Sequence, residues 1–121
     1  MASKNVVPVM YIILRRDIAS MPGWGTGPLI AQGAHAATAC IWEFRDDPLV
    51  QAYMDKSNID SMHKVVLGAK DEPHLQQAVD KLKDKNIQHR IWVEDGMDVC
   101  VAVKPMPRNE IKPLLKGFDL Y

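Results

Sequence analysis

The sequence predicts an α/β domain, a three-layer α/β/α sandwich on a mixed four-stranded sheet. Three observations lead there. "VVPVMYIILRR" carries apolar residues on both alternating faces, as a strand covered from both sides does. The patterns then run strand–helix–strand–helix–strand–strand–helix, the order of layered α/β proteins. Between the last two strand-like runs stands Asp95-Gly96, a two-residue hairpin signal. The helical crossovers favour parallel neighbours, and the hairpin makes one pair antiparallel.

Each element follows from local chemistry. Residues 1–5 are polar and expected to fray. In the first strand Pro8 sits near the start, where a missing donor does little harm. "DIASMPGWGTG" is a loop by its Pro and Gly content. The first helix should begin with Pro28 at its first position and run to about Phe44. Within it, six of the nine residues from Ala31 to Ala39 are Gly or Ala, a surface that lets a helix lie close on a sheet. Gln32, His35, Ala36 and Ala39 share one face of it. The ordinary reading of His35 is a histidine hydrogen-bonded inside the packing. "DDPLVQAYMDKS" is a short helix capped by Asp47 with Pro48 first. "HKVVLGA" is a strand, and "KDEPHLQQAVDKLKDKN" an amphipathic helix burying Leu75, Val79 and Leu82 and ending at Asn86. "IQHRIWVED" and "DVCVAVK" are strands, and "RNEIKPLLKGF" is a short C-terminal helix limited by Pro113.

Composition bounds the function. The 121 residues fit one domain, 1–121, with no repeat, linker or low-complexity tract. A hydrophobic content of 47% with 25% charged residues is that of an ordinary soluble domain. The longest apolar run, Val6 to Leu14, is too short to span a bilayer, and neither a membrane segment nor a secretory signal is expected. Cys40 and Cys100 make no disulfide framework, so a cytoplasmic protein with two buried free thiols is expected. Formal net charge is zero, so any nucleic-acid binding must come from a local patch. Arg15, Arg16, Lys64 and Lys104 begin or end strands and are expected to cluster at one rim. "GWGTG" shares only its glycines with a phosphate loop. The four histidines (His35, His63, His74, His89) and two cysteines lack metal-ligand spacing, and no nucleophile elbow is present. No cofactor and no metal are therefore expected. On residues alone, the candidate site lies beside the first helix.

A strand ending in Arg-Arg-Asp, a Gly-rich loop and then "AQGAHAA" is a specific combination. It resembles the archaeal/eukaryotic-type (type 2) peptidyl-tRNA hydrolases, whose pattern is V-R-x-D, then G-K-G-K-x-A-A-Q-x-A/S-H-A-A. Downstream, the "KVVL" strand, the E-x-x-L helix and the strand ending in Glu-Asp keep the family order. "KVVL-x-A-x-DE", "KNI-x-H" and the closing "K-x-F-x-L" are most similar to a divergent eukaryotic branch, the peptidyl-tRNA hydrolase domain-containing proteins. The resemblance covers residues 9–121.

It implies metal-independent cleavage of the ester joining a peptide to the tRNA 3′ end, with peptidyl-tRNA as partner and a homodimer as assembly. Of the family's implicated residues, the glutamine matches Gln32, the aspartate matches Asp95, and the motif histidine is His35. Asp95 would orient or deprotonate a water, and Gln32 would donate to the oxyanion. The lysine position is occupied by Pro28, and the D-A-G-x-T-Q loop that carries the threonine has shrunk to "EDGMD". Arg15, Arg16 and Lys104, at strand ends, are the candidates to substitute, and the ordinary reading of each is a solvated edge. The two losses imply a degraded site. The alternative is an inactive RNA- or protein-binding module on the same fold.

Overall fold

The computed structural model describes residues 7–121. The expectation of a frayed segment 1–5 lies outside them. Strand β1, Pro8–Arg15, is buried along its whole length and forms the centre of the sheet. Helix α1, Thr26–Glu43, and helix α2, Pro48–Met54, lead to β2, Lys64–Ala69, which pairs parallel to β1. Helix α3, Glu72–Asp84, then crosses to β3, His89–Glu94, and a tight turn returns the chain through β4, Met97–Val103. The order is β3-β4-β1-β2, with β4 antiparallel to both its neighbours. The first crossover therefore gives parallel neighbours, as expected. The second does not, because β4 inserts between β3 and β1.

Two further strands correct the four-strand expectation. β5, Met106–Pro107, pairs with the start of β1, and β6, Asp119–Leu120, pairs with β2. Each is two residues long, too short to show any alternation in sequence. Between them Arg108–Ile111 forms a single turn of helix, α4, and Lys112–Leu115 tightens into a 3₁₀ turn.

The alternation of β1 builds two cores. Val9, Tyr11 and Ile13 face α3 and the C-terminal segment, where they meet Leu75, Val79, Leu82 and Phe118. Met10, Ile12 and Leu14 face α1, where they meet Ala36, Ala37, Cys40 and Trp24. Of the small residues of α1, Ala36 and Ala37 thus sit where the helix lies on the sheet, while Ala34 is exposed. Both cysteines are buried free thiols, and burial pushes each up to about 12, so they stay protonated and inert.

The caps agree with the sequence except at one end. Asp47 accepts from the Leu49 N–H at 2.8 Å, and Pro48 opens α2. Asn86 takes φ 56° and closes α3, with Ile87 N–H bonded to Leu82 O and Asn86 N–H to Lys83 O. Helix α1, however, starts at Thr26 with Gly25 as its cap, two residues before the expected start. Pro28 falls third in the first turn, where the N–H is unpaired in any case.

Candidate active site

β1, β2 and β3 point the same way, so their carboxyl ends share one edge of the sheet. The first turn of α1 and the β3–β4 hairpin both lie at that edge. The hairpin is a two-residue turn in which Asp95 has φ 52° and Gly96 φ 75°, the type I′ geometry the strand twist favours. Trp92 opposes Cys100 while Val93 opposes Asp98, so β4 carries a bulge at Val99 just inside the turn.

A depression of about 310 Å³ lies between these parts, lined by Pro22, Gly23, Trp24, Pro28, Gln32, Glu94 and Asp95. The structure thus brings Gln32 and Asp95 together, from positions 63 apart in sequence. Asp95 is exposed at the turn and Gln32 is only 5% exposed. The Gln32 Nε2 donates to Pro28 O at 3.1 Å. Its Oε1 is sealed from solvent and has no partner among the described residues. Turning the amide over would set Oε1 against another carbonyl oxygen, so the unpaired end is an acceptor. The sequence expectation had Gln32 donating to an oxyanion; one of the two Nε2 hydrogens goes to Pro28 O, and the second has no acceptor among the described residues.

His35 does not join this depression. It is exposed, and its ring stacks on Trp92 with centroids 4.7 Å apart and planes 23° apart. Both rings line a separate shallow groove with Trp42, which is 67% exposed. The expectation of a histidine hydrogen-bonded inside the packing is therefore corrected. Helical spacing places His35 beside Gln32 but cannot say which flank of the helix meets an edge strand.

The four cations do not form one rim. Arg15 and Arg16 stand at the carboxyl end of β1, whereas Lys64 opposes Met10 and Lys104 follows β4, both at the opposite edge. Each has a local partner. Arg15, 7% exposed, grips Asp17 with two bonds of 3.0 and 2.8 Å and donates to Asp98 O at 3.1 Å. Glu72 lies 3.8 Å away and accepts the Asp98 N–H at 2.9 Å. The hydrogen bond from Arg15 holds Asp17 below the usual carboxylate range. Lys104 pairs with Asp47 at 2.8 Å and is 8% exposed. Burial pushes Asp47 up, but the bonds from Lys104 and the Leu49 N–H outweigh it and hold Asp47 low. Lys64 donates to the Tyr53 hydroxyl at 3.1 Å. Arg16 is exposed, bonds to Leu120 O and lies 4.6 Å over the Tyr121 ring.

Sequence reasoning missed two residues of the depression. Trp24 supplies its apolar wall, hidden in a loop read only for its glycines. Glu94 lines it next to Asp95 and accepts from Trp92 Nε1 at 3.0 Å. The "ED" pair that closes β3 carried the signal for the second.

Comparison with known proteins places the chain in a family. The family model described as "Peptidyl-tRNA hydrolase PTH2" matches residues 8–121. The chain is 40% identical to the Mus musculus protein named "Putative peptidyl-tRNA hydrolase PTRHD1", covering 100% of this chain and 89% of that one. The Homo sapiens protein of the same name is 39% identical over the same shares. A protein from Pyrobaculum aerophilum named "Peptidyl-tRNA hydrolase" is 24% identical, covering 93% and 96% of the two chains. Among solved structures, a protein of unknown function from Agrobacterium tumefaciens superposes with a TM-score of 0.64 at 14% identity, covering 95% and 98%. That likeness concerns the fold alone. Both the match across residues 8–121 and the PTRHD1 identities make the assignment: the chain belongs to the peptidyl-tRNA hydrolase PTH2 family.

Proposed function

We propose that the chain hydrolyses the ester between a peptide and the 3′ end of tRNA, slowly, through a reduced active site. The observation that carries this reading is the one depression that Gln32 and Asp95 both line. The carboxylate suits a water that gives it one hydrogen, and the second Nε2 hydrogen of Gln32 suits the oxyanion. Asp95 then takes the proton as the water oxygen attacks the ester carbonyl, and the proton passes to the departing ribose oxygen as the tetrahedral adduct collapses. Water is consumed; a free peptide acid and a free tRNA 3′ end are formed.

The reduction lies in charge stabilisation. Pro28 stands where the family pattern has lysine, and Arg15 is committed to Asp17. What remains for the oxyanion beside Gln32 is the positive end of α1, an 18-residue helix whose cap, Gly25, has no side-chain bond. Fixed helix dipoles are weaker than an ammonium, and losing one oxyanion interaction costs about a hundredfold or more. Arg16 is an exposed cation at this edge for a tRNA phosphate. Its contact would make affinity fall with salt. The cytoplasm, where peptidyl-tRNA is made, is the location this reading implies.

The test is release of tRNA from purified peptidyl-tRNA, beside a PTH2 enzyme with the complete motif. Asp95→Asn should reduce the rate at least about tenfold, and Glu94→Gln much less. Equal rates for parent and Asp95→Asn would remove Asp95 from the mechanism. Arg16→Ala should weaken tRNA binding and flatten its salt dependence; a salt-independent affinity would exclude the phosphate contact.

A further inference from the structure

The depression at Asp95 is smaller than a second groove. A groove of about 760 Å³ opens on the other face of the sheet, between β2 and the C-terminal segment. Its size falls in the range of small-molecule sites, roughly 300–1,000 Å³. The floor is apolar: Tyr11 and Leu67 from the sheet, Leu115 and Phe118 from the segment that folds back over it. These are core residues, none more than 8% exposed, so the floor is preformed.

The mouth is basic. Arg108, Lys112 and Lys116 line it with a single carboxylate, Asp119, in a chain whose formal charge is zero. Among the described residues none of the three cations lies within ion-pair distance of an acid, whereas Arg15, Arg90 and Lys104 all do. An apolar trough rimmed by unpaired cations complements a ligand with an apolar body and an anionic head. We infer that this groove binds amphipathic anions, specifically unbranched acyl carboxylates, with the chain along Leu67 and Phe118 and the head at Arg108 and Lys112. The site is separate from the one at Asp95 and does not depend on the proposed hydrolysis.

The experiment titrates the full chain with hexanoate, octanoate and decanoate, following heat and backbone amide shifts, with decanol and acetate as controls. Affinity should rise about fourfold per added methylene while the trough fills. Shifts should concentrate on β2, α4 and residues 115–120. Decanol should bind at least about tenfold more weakly than decanoate, and acetate not measurably. Both Arg108 and Lys112 are exposed, so the Arg108→Glu/Lys112→Glu double variant should fold normally. It should weaken decanoate about tenfold and leave decanol unchanged. Absence of saturation by decanoate at about 1 mM, an affinity indifferent to chain length, or shifts confined to α1 would each overturn the assignment.

Discussion

Substituting Gln32 by methionine separates a functional glutamine from a structural one. The side chain is 5% exposed, makes one bond, from Nε2 to Pro28 O at 3.1 Å, and leaves Oε1 unpaired. The bond is worth about 0.5–1.5 kcal/mol net, whereas the sealed, unpaired oxygen costs about 1–3 kcal/mol. Methionine keeps the length and the unbranched shape and removes both polar ends, so no cavity term enters. The balance is a gain of about 1 kcal/mol, which for a domain of this size raises Tm by roughly 4 °C. Over the same substitution, tRNA release from peptidyl-tRNA should fall at least about tenfold, because the oxyanion loses the second Nε2 hydrogen of Gln32. A stabilising change that removes activity is the mark of a group retained at a cost to the fold. Urea denaturation and the release assay on one preparation decide it. A methionine variant that is destabilised by about 1 kcal/mol, or that hydrolyses at the parental rate, refutes the assignment of Gln32.

Four further outcomes are expected. Asp47→Ala removes a helix cap and strands the buried Lys104 ammonium, so urea denaturation should show a loss of about 2–4 kcal/mol. Because Asp47 and Asp17 are held below the ordinary range in the fold, their contribution is present above their unfolded values, near pH 4, and is lost as the pH falls through the folded ones. Tm should therefore drop on acidification below about pH 4, and less steeply in Asp47→Asn. Ala37→Leu should cost about 1–3 kcal/mol by overpacking α1 against the sheet, while Ala34→Leu, on the exposed flank, should stay within about 0.5 kcal/mol; equal thermal melts would contradict the packing. Pro28→Lys alone should not restore family-level hydrolysis. Combined with a D-A-G-x-T-Q loop in place of the tight turn it should exceed both single changes together, and simple additivity on peptidyl-tRNA would argue against a shared unit.

Most of the fold was legible because its signals are local. A run rich in Val and Ile and apolar on both faces marked β1, Asp-Pro marked the start of α2, Asn86 marked the end of α3, and Asp-Gly marked the hairpin, each through chemistry confined to a few neighbours. What was not legible depends on distant partners. Nothing near residues 106–107 or 119–120 announces a strand, because pairing with β1 and β2 supplies the hydrogen bonds that make them strands. The same limit applies to the site. Family motifs identified Gln32 and Asp95, and the fold joins them at one depression. Charge alone pointed to the four cations, and charge does not reveal partners: Asp47 sits 57 residues from the lysine it neutralises. The orphaned oxygen of Gln32 had no sequence signal at all.

The reassignment of Arg15 bears on how a shortened site can hold its shape. A two-residue turn has little of its own to fix its direction, and the bulge at Val99 bends the strand immediately behind it. Yet at Asp98, the residue before the bulge, both backbone groups are gripped from outside the hairpin. Arg15 donates to its carbonyl, and Glu72 accepts its N–H at the first turn of α3. Arg15 is itself held by Asp17, so β1, α3 and the hairpin meet in one network of charge-assisted bonds. Asp95 lies three residues from that clamp, on a turn whose positive φ at two successive positions leaves the backbone few alternatives. The cation that charge counting assigns to RNA thus does its work by fixing the base of the hairpin. This accounts for how Asp95 can face Gln32 without a longer loop around it, and for why Arg15 is not free to replace the missing lysine.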